Sequence, residues 1–273
     1  MSARLPTYFI SHGGGPWPYL DGPFRRMFDQ LEQSIHNVRR ELGNAPRAVL
    51  VISGHWEENG FAISSGEQPG MVYDYSGFPE HTYRIRYKAP GSPALARRVQ
   101  ELLSAGGVQA RLDPERGYDH GTFSIMKPLY PEEDIPLVQL SIDRSYSPEL
   151  HLQLGRLLAP LRYEGVLIIG SGFSYHNLGL RGSHAVEPSR VFDAWLQETL
   201  VTATPEERTP LLVAWERAPL ARAAHPQEDH LVPLMVVVGA AEKEAATVVY
   251  HQNDLFGGIT ASSFRFGDVL TAY

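Results

Sequence analysis

Ala48-Val49-Leu50-Val51-Ile52-Ser53-Gly54-His55-Trp56-Glu57 is the stretch on which the fold turns. An unbroken run of branched apolar residues between turn signals reads as a strand buried on both faces, as found in the middle of an α/β sheet. His55 is then expected just past its carboxyl end, where open α/β sheets place their chemistry. The pattern recurs twice. Leu5 to Ile10 leads into Ser11-His12-Gly13-Gly14-Gly15-Pro16, and Gly165 to Gly170 leads into Ser171-Gly172-Phe173-Ser174-Tyr175-His176-Asn177. Three strands, each followed by a histidine, point at one place.

Working outward, helical and strand signals alternate. Phe24, Met27, Phe28, Leu31, Ile35, Val38 and Leu42 form one apolar helical stripe, ended by Gly43-Asn44 and Pro46. Ser92-Pro93 and Ser147-Pro148-Glu149 open two further helices, and Thr204-Pro205 a third. Short apolar segments at 60–65, 108–112, 136–142, 246–250 and 259–266 read as strands. Helices are expected over 191–202 and 205–215, and another from Glu228-Asp229 onward, with Pro233 in its first turn and His230 facing inward from it. The expected architecture is α/β: a single domain over residues 1–273, with a central mixed, mostly parallel sheet flanked by helices and the site at the strand carboxyl ends. Residues 66–91, rich in Gly, Pro and Tyr, read as a long functional loop, a lid or pocket wall.

Composition narrows the chemistry. The formal net charge of -7 argues against a nucleic-acid surface. No apolar run reaches the length of a membrane span and the start lacks the apolar core of a secretion signal, so a cytoplasmic protein is expected. With no cysteine among 273 residues, disulfides, thiolate catalysis and cysteine-held metals are excluded. Any metal falls to His, Asp or Glu.

Eleven histidines are present. His12 and His55 read as metal ligands or as hydrogen-bonded loop residues, and their strand-end positions beside small neighbours favour ligands. Spacing leaves His120, in Gly117-Tyr118-Asp119-His120-Gly121, and His176 open between site and structure. Of His225 and His230, the predicted helix favours His230. His36, His81, His151, His184 and His251 are expected in solvent. Glu57, Asp119, Glu228 and Asp229 are the carboxylates at hand. Neutral imidazoles without thiolates suit Fe(II), Zn(II), Cu(II) or Mn(II).

Together, Ser11-His12-Gly13, Ser53-Gly54-His55-Trp56, Gly117 to Gly121, Gly172 to Leu178 and Pro226 to Leu234 resemble the class III extradiol ring-cleavage dioxygenases. This LigB-like family includes the catalytic subunit of protocatechuate 4,5-dioxygenase, and the likeness is nearest to its 4,5-DOPA extradiol branch. The segments Tyr87 to Pro93 and Val138 to Asp143 extend it. The resemblance implies an enzyme that inserts O2 into a catechol-type ring, DOPA-like or related, with ring opening. It implies His12, His55 and His230 as metal ligands, His176 as acid/base and a possible fourth ligand, and His120 as a second catalytic histidine. Trp17, Tyr118, Phe173 and Tyr175 are expected against the substrate ring. Fe(II) is the implied metal of the active form, with Zn(II) able to replace it on purification. The implied partners are a small aromatic diol and O2, with no nucleic acid or membrane, in a monomer or homo-oligomer. A zinc hydrolase using the same imidazoles and a non-catalytic metal-binding scaffold of the same fold are the rival readings. Gly14 to Pro18 departs from the DOPA-cleaving pattern, and an aminophenol is a further substrate candidate.

Overall fold

The computed structural model describes residues 4–43 and 46–269. In chain order its strands are β1 (Thr7–Ser11), β2 (Ala48–Glu58), β3 (Phe61–Ser64), β4 (Ala110–Asp113), β5 (Leu137–Asp143), β6 (Val166–Gly172), β7 (Ala246–Leu255) and β8 (Ile259–Phe266). They form one mixed eight-stranded sheet in the order β4-β3-β5-β2-β6-β1-β8-β7. The four central strands β5, β2, β6 and β1 are parallel, whereas β3 and β8 run antiparallel to their inner neighbours. Every residue of β1 and β6 is buried, as the apolar runs predict. Because β2, β6 and β1 are adjacent and parallel, their carboxyl ends lie side by side.

The helices are α1 (Gly22–Arg26), α2 (Asp29–Leu42), α3 (Pro93–Ala105), α4 (His120–Leu129), α5 (Pro148–Leu158), α6 (Ser183–Gln197), α7 (Pro205–Val213), α8 (Ala221–Ala224) and α9 (Val232–Ala240). Ser92, Ser147 and Thr204 cap their helices through side-chain bonds to backbone N–H groups, the last in a full capping box with Glu207. The predicted helix over Phe24–Leu42 is broken at Met27-Phe28. The break turns the Phe28 ring inward against Trp17, at 5.3 Å between ring centres. Asn44, part of the predicted stop signal, lies outside the described residues.

α9 is apolar on every side and fully buried, the composition of a helix surrounded by protein. It lies between the sheet and α5. The outer strands are guarded differently: β4 has four residues and carries Arg111, paired with Asp113 and with Glu58, while β7 shifts register against β8 at two places. No helix among the described residues is long and apolar enough to cross a membrane.

Candidate metal centre and active site

His12 follows β1 directly, and its backbone N–H donates to Gly172 O on β6 at 3.0 Å. His55 is not past the end of β2 as expected. The strand continues to Glu58, and its pairing with β5 jumps from Ser53 to Glu57, so Gly54, His55 and Trp56 form a bulge inside it. Such bulges re-aim a side chain while the strand stays anchored at both sides.

His120 is not in a loop: it is the first residue of α4, whose N-cap Asp119 accepts from Thr122 N at 3.0 Å. Gly121 and Pro128, both poor helix formers, mask that helix in the sequence. His230 is not on a helix. It sits in the turn before α9, where Leu231 N and Val232 N bond Glu228 O, and helical geometry begins only at Val232. Gly172 lets this turn lie on the sheet: a Cβ there would fall 2.1 Å from His230 O, which instead accepts from Phe173 N at 3.0 Å.

The five histidines converge. His55 Nε2 lies 3.1 Å from His12 Nε2 and 3.1 Å from His230 Nε2. His12, His55 and His120 offer ligand atoms within 4.8 Å of one another, as do His176, Asp229 and His230. The His176 ring stacks on His230 at 3.4 Å and 16°. His120 lies against His55, with ring centres 3.9 Å apart.

The opposite ring nitrogens fix the tautomers. His230 Nδ1 lies 2.5 Å from Asp229 Oδ2 and His55 Nδ1 3.2 Å from Asp74 Oδ2, both carboxylate acceptors that call for an N–H. His12 Nδ1 lies 3.1 Å from Ser171 Oγ, whose own proton goes to Gly121 O, so this nitrogen is also the donor. Three Nε2 lone pairs are therefore left facing each other with no proton between them. Burial, reinforced by the neighbouring imidazoles, holds the pKa values of His12, His55 and His230 well below 6.5, so protonation does not relieve the clash. A cation does. Two nitrogens about 2.1 Å from one ion, at right angles, lie about 3.0 Å apart, so the donor set fits a single divalent metal.

Asp74 was not singled out from the sequence. Its Oδ1 accepts from His120 Nδ1 at 2.8 Å and from His120 N at 3.1 Å, and its Oδ2 meets His55, so one carboxylate orients two imidazoles. Burial raises its pKa, but the bonds and charge from His120 and His55 outweigh burial and leave it lowered. It comes from the long 66–91 loop, which supplies Asp74, Ser76 and Phe78 to the cavity wall. Its position between two tyrosines carried no periodic signal.

The cavity has a volume of about 660 Å³, in the range of small-molecule sites. Phe173 and Tyr175 line it. Trp17 and Tyr118 do not line it: both are fully buried in the core. Each found a backbone acceptor there, Trp17 Nε1 donating to His12 O at 2.8 Å and the Tyr118 hydroxyl facing Ala89 O at 3.1 Å. Trp17 thus props the His12 loop from behind. His151, expected in solvent, is also buried, between Ser147 O and Asp143 N. His225 is buried against Phe192 and Trp215, while His36, His81, His184 and His251 are exposed. Of the other carboxylates, Glu57 lines the cavity, Asp119 caps α4, and Glu228 pairs with Arg222.

Residues 6–267 match the family described as the catalytic LigB subunit of aromatic ring-opening dioxygenase. The chain is 38% identical over 267 residues to a protein named 4,5-DOPA dioxygenase extradiol from Beta vulgaris, covering 95% of this chain and 96% of that one. It is 32% identical over 271 residues to the protein of that name from Escherichia coli K12, covering 97% and 96%. A crystal structure of an uncharacterized protein from Escherichia coli K12 superposes with a TM-score of 0.77 at 31% identity, covering 97% of this chain and all of that one. The chain belongs to the LigB family and is a class III extradiol ring-cleavage dioxygenase, an enzyme that acts with O2 on an aromatic substrate.

Proposed function

We propose that the protein opens a catechol-type ring next to its hydroxyl pair, with a single Fe(II) ion held by His12, His55 and His230. The observation that carries this reading is the convergence of three proton-free Nε2 atoms, with spacings of 3.1 Å through His55, in the wall of a ring-sized cavity. When bound, the ion supplies a Lewis-acid centre that lowers the pKa of a diol hydroxyl and a redox centre for O2 chemistry. Zn(II), which competes well for imidazoles, is expected to occupy the same ligands in protein purified without iron.

The remaining roles fall to side chains in the same wall. His176 is the acid/base: burial lowers its pKa despite the nearby Asp229 carboxylate, so it is neutral near pH 7 and able to take a diol proton and later return it. His120, its Nδ1 held by Asp74, presents Nε2 as the second hydrogen-bonding group for the reacting atoms. Phe173 and Tyr175 pack the ring and keep water from it.

The test is anaerobic loading with Fe(II), followed by oxygen uptake and visible absorbance with a panel of catechols and 2-aminophenol. The expected result is stoichiometric O2 consumption with a yellow ring-opened product. His176→Ala is expected to bind the metal normally and lose turnover by at least about a hundredfold. Silence across the panel with fully loaded iron would overturn the reading, and normal turnover by His176→Ala would remove that residue from the chemistry.

A further inference from the structure

The reacting end of the cavity is accounted for by histidines; its mouth is not. Two segments form the mouth. One is the loop 177–182 that follows His176, and the other is the tip of the β7–β8 hairpin, Phe256-Gly257-Gly258. The loop is held by its own bonds: Asn177 Oδ1 accepts from Gly179 N and Leu180 N at 2.9 and 3.1 Å, Asn177 Nδ2 donates to Ala223 O at 2.8 Å, and the Tyr175 hydroxyl donates to Leu180 O at 3.0 Å. The hairpin tip touches it. A Cβ on Gly258 would lie 3.4 Å from Gly182 O and 2.6 Å from Val186 on α6, so the hairpin tip packs against the end of the loop and the start of α6.

Phe256 adopts φ +50, a left-handed conformation unusual for a bulky residue, and its ring lines the cavity beside Phe24 and Phe28. Strain of this kind persists where the surroundings enforce it, and it clusters at ligand-binding positions. The same cavity is lined by Arg181, an exposed residue of the 177–182 loop. It is the one lysine or arginine among the residues lining the cavity. Its Nε donates to Leu178 O at 2.8 Å, which pins the guanidinium, and no carboxylate among the described residues pairs with it. Glu57, Asp74 and Asp229 also line the cavity. Away from the histidines, Arg181 is thus the one fixed cationic side chain in the wall that can meet an anionic group on a bound molecule.

We infer that Arg181, in the wall of the same cavity, selects substrates whose side chain carries a carboxylate, by pairing with that carboxylate at the mouth while the diol lies among the histidines. This rests on the catechol-cleaving reading above and adds the substrate's second anchor. An arginine fork suits a carboxylate because two parallel N–H groups match its two oxygens. The anchor also sets which way round the ring enters.

The experiment compares 3,4-dihydroxyphenylacetate, its methyl ester and the tail-less 4-methylcatechol in the wild type, Arg181→Gln and Arg181→Lys. Both kcat/KM of the iron-loaded protein and the Kd from anaerobic calorimetry are measured. The wild type is expected to favour the acid over the ester roughly tenfold in both, the effect of one charge-assisted pair. Arg181→Gln brings the ratio near one, and Arg181→Lys, which keeps the charge but not the fork, retains part of it. A wild-type ratio near one, or a ratio that survives Arg181→Gln while 4-methylcatechol is cleaved, overturns the role of Arg181 alone. If the iron-loaded wild type neither binds nor cleaves any of the three catechols, the catechol reading itself falls and this inference falls with it.

Discussion

Asp74 shows what a single side chain contributes at this site. One carboxylate fixes the tautomers of two imidazoles, His55 and His120, which come from a strand bulge and a helix start. Outer partners of this kind raise ligand basicity and hold ring orientation, and their loss typically costs ten- to a hundredfold in metal affinity. Asp74→Asn is therefore expected to weaken Fe(II) or Zn(II) binding by roughly that factor while the protein stays folded. Competition with a chromophoric chelator measures it, and unchanged affinity would show that the two rings need no such support. His12, His55 and His176 were legible in the sequence because they follow apolar runs, whereas His120 and His230 follow polar turns and spacing alone did not fix their part. Asp74 was not, because it reaches the site through a long loop whose path no local pattern encodes. Trp17 and Tyr118 were misplaced for a related reason: an aromatic beside a site motif packs equally well behind the motif as in front of it.

At the scale of elements, the three parallel strands β2, β6 and β1 were readable from hydrophobic runs alone, and the helices α3, α5 and α7 from their Ser-Pro and Thr-Pro starts. What escaped were departures from regular geometry. The bulge at Gly54–Trp56 depends on how β5 pairs with β2, a long-range fact, and α4 forms in spite of Gly121 and Pro128 because Asp119 caps it. The turn bearing His230 is held down at Gly172, where the sheet and the turn meet without a side chain between them. Gly172→Ala should push that turn outward and break the bond from Phe173 N to His230 O. We expect a loss of about 1–3 kcal/mol in urea unfolding, as for other overpacked cores, together with weaker metal binding. A variant that is destabilised yet binds metal as well as the wild type would separate the turn's position from the site's geometry.

For the molecule as a whole, buried neutral histidines set the response to acid. His225 donates through Nε2 to Ser174 O, its Nδ1 has no partner among the described residues, and burial lowers its pKa to about 4. Burial likewise lowers the pKa of His151. For such groups the unfolded chain binds the proton more readily, so their contribution to stability is complete above about pH 6.5 and is lost as the pH falls toward the folded-state value. His225 alone accounts for up to about 3 kcal/mol between pH 6.5 and 4, and the site histidines of the metal-free protein act in the same direction. Urea midpoints of the metal-free protein should fall steadily across that window. In His225→Leu the slope should be shallower, whatever its absolute stability, and an identical slope would assign the acid response to other groups.

The sheet's two outer strands bear on how copies of this chain behave toward one another. An outer strand presents unpaired N–H and C=O groups on which a neighbour's strand can be laid down. Here one such strand is four residues long with Arg111 engaged in ion pairs, and the other, β7, breaks its regular spacing at Val248–Tyr250 and again at Gln252–Leu255. Neither offers a long flat template. Pairing of copies of the protein edge to edge is thereby disfavoured at both ends of the sheet.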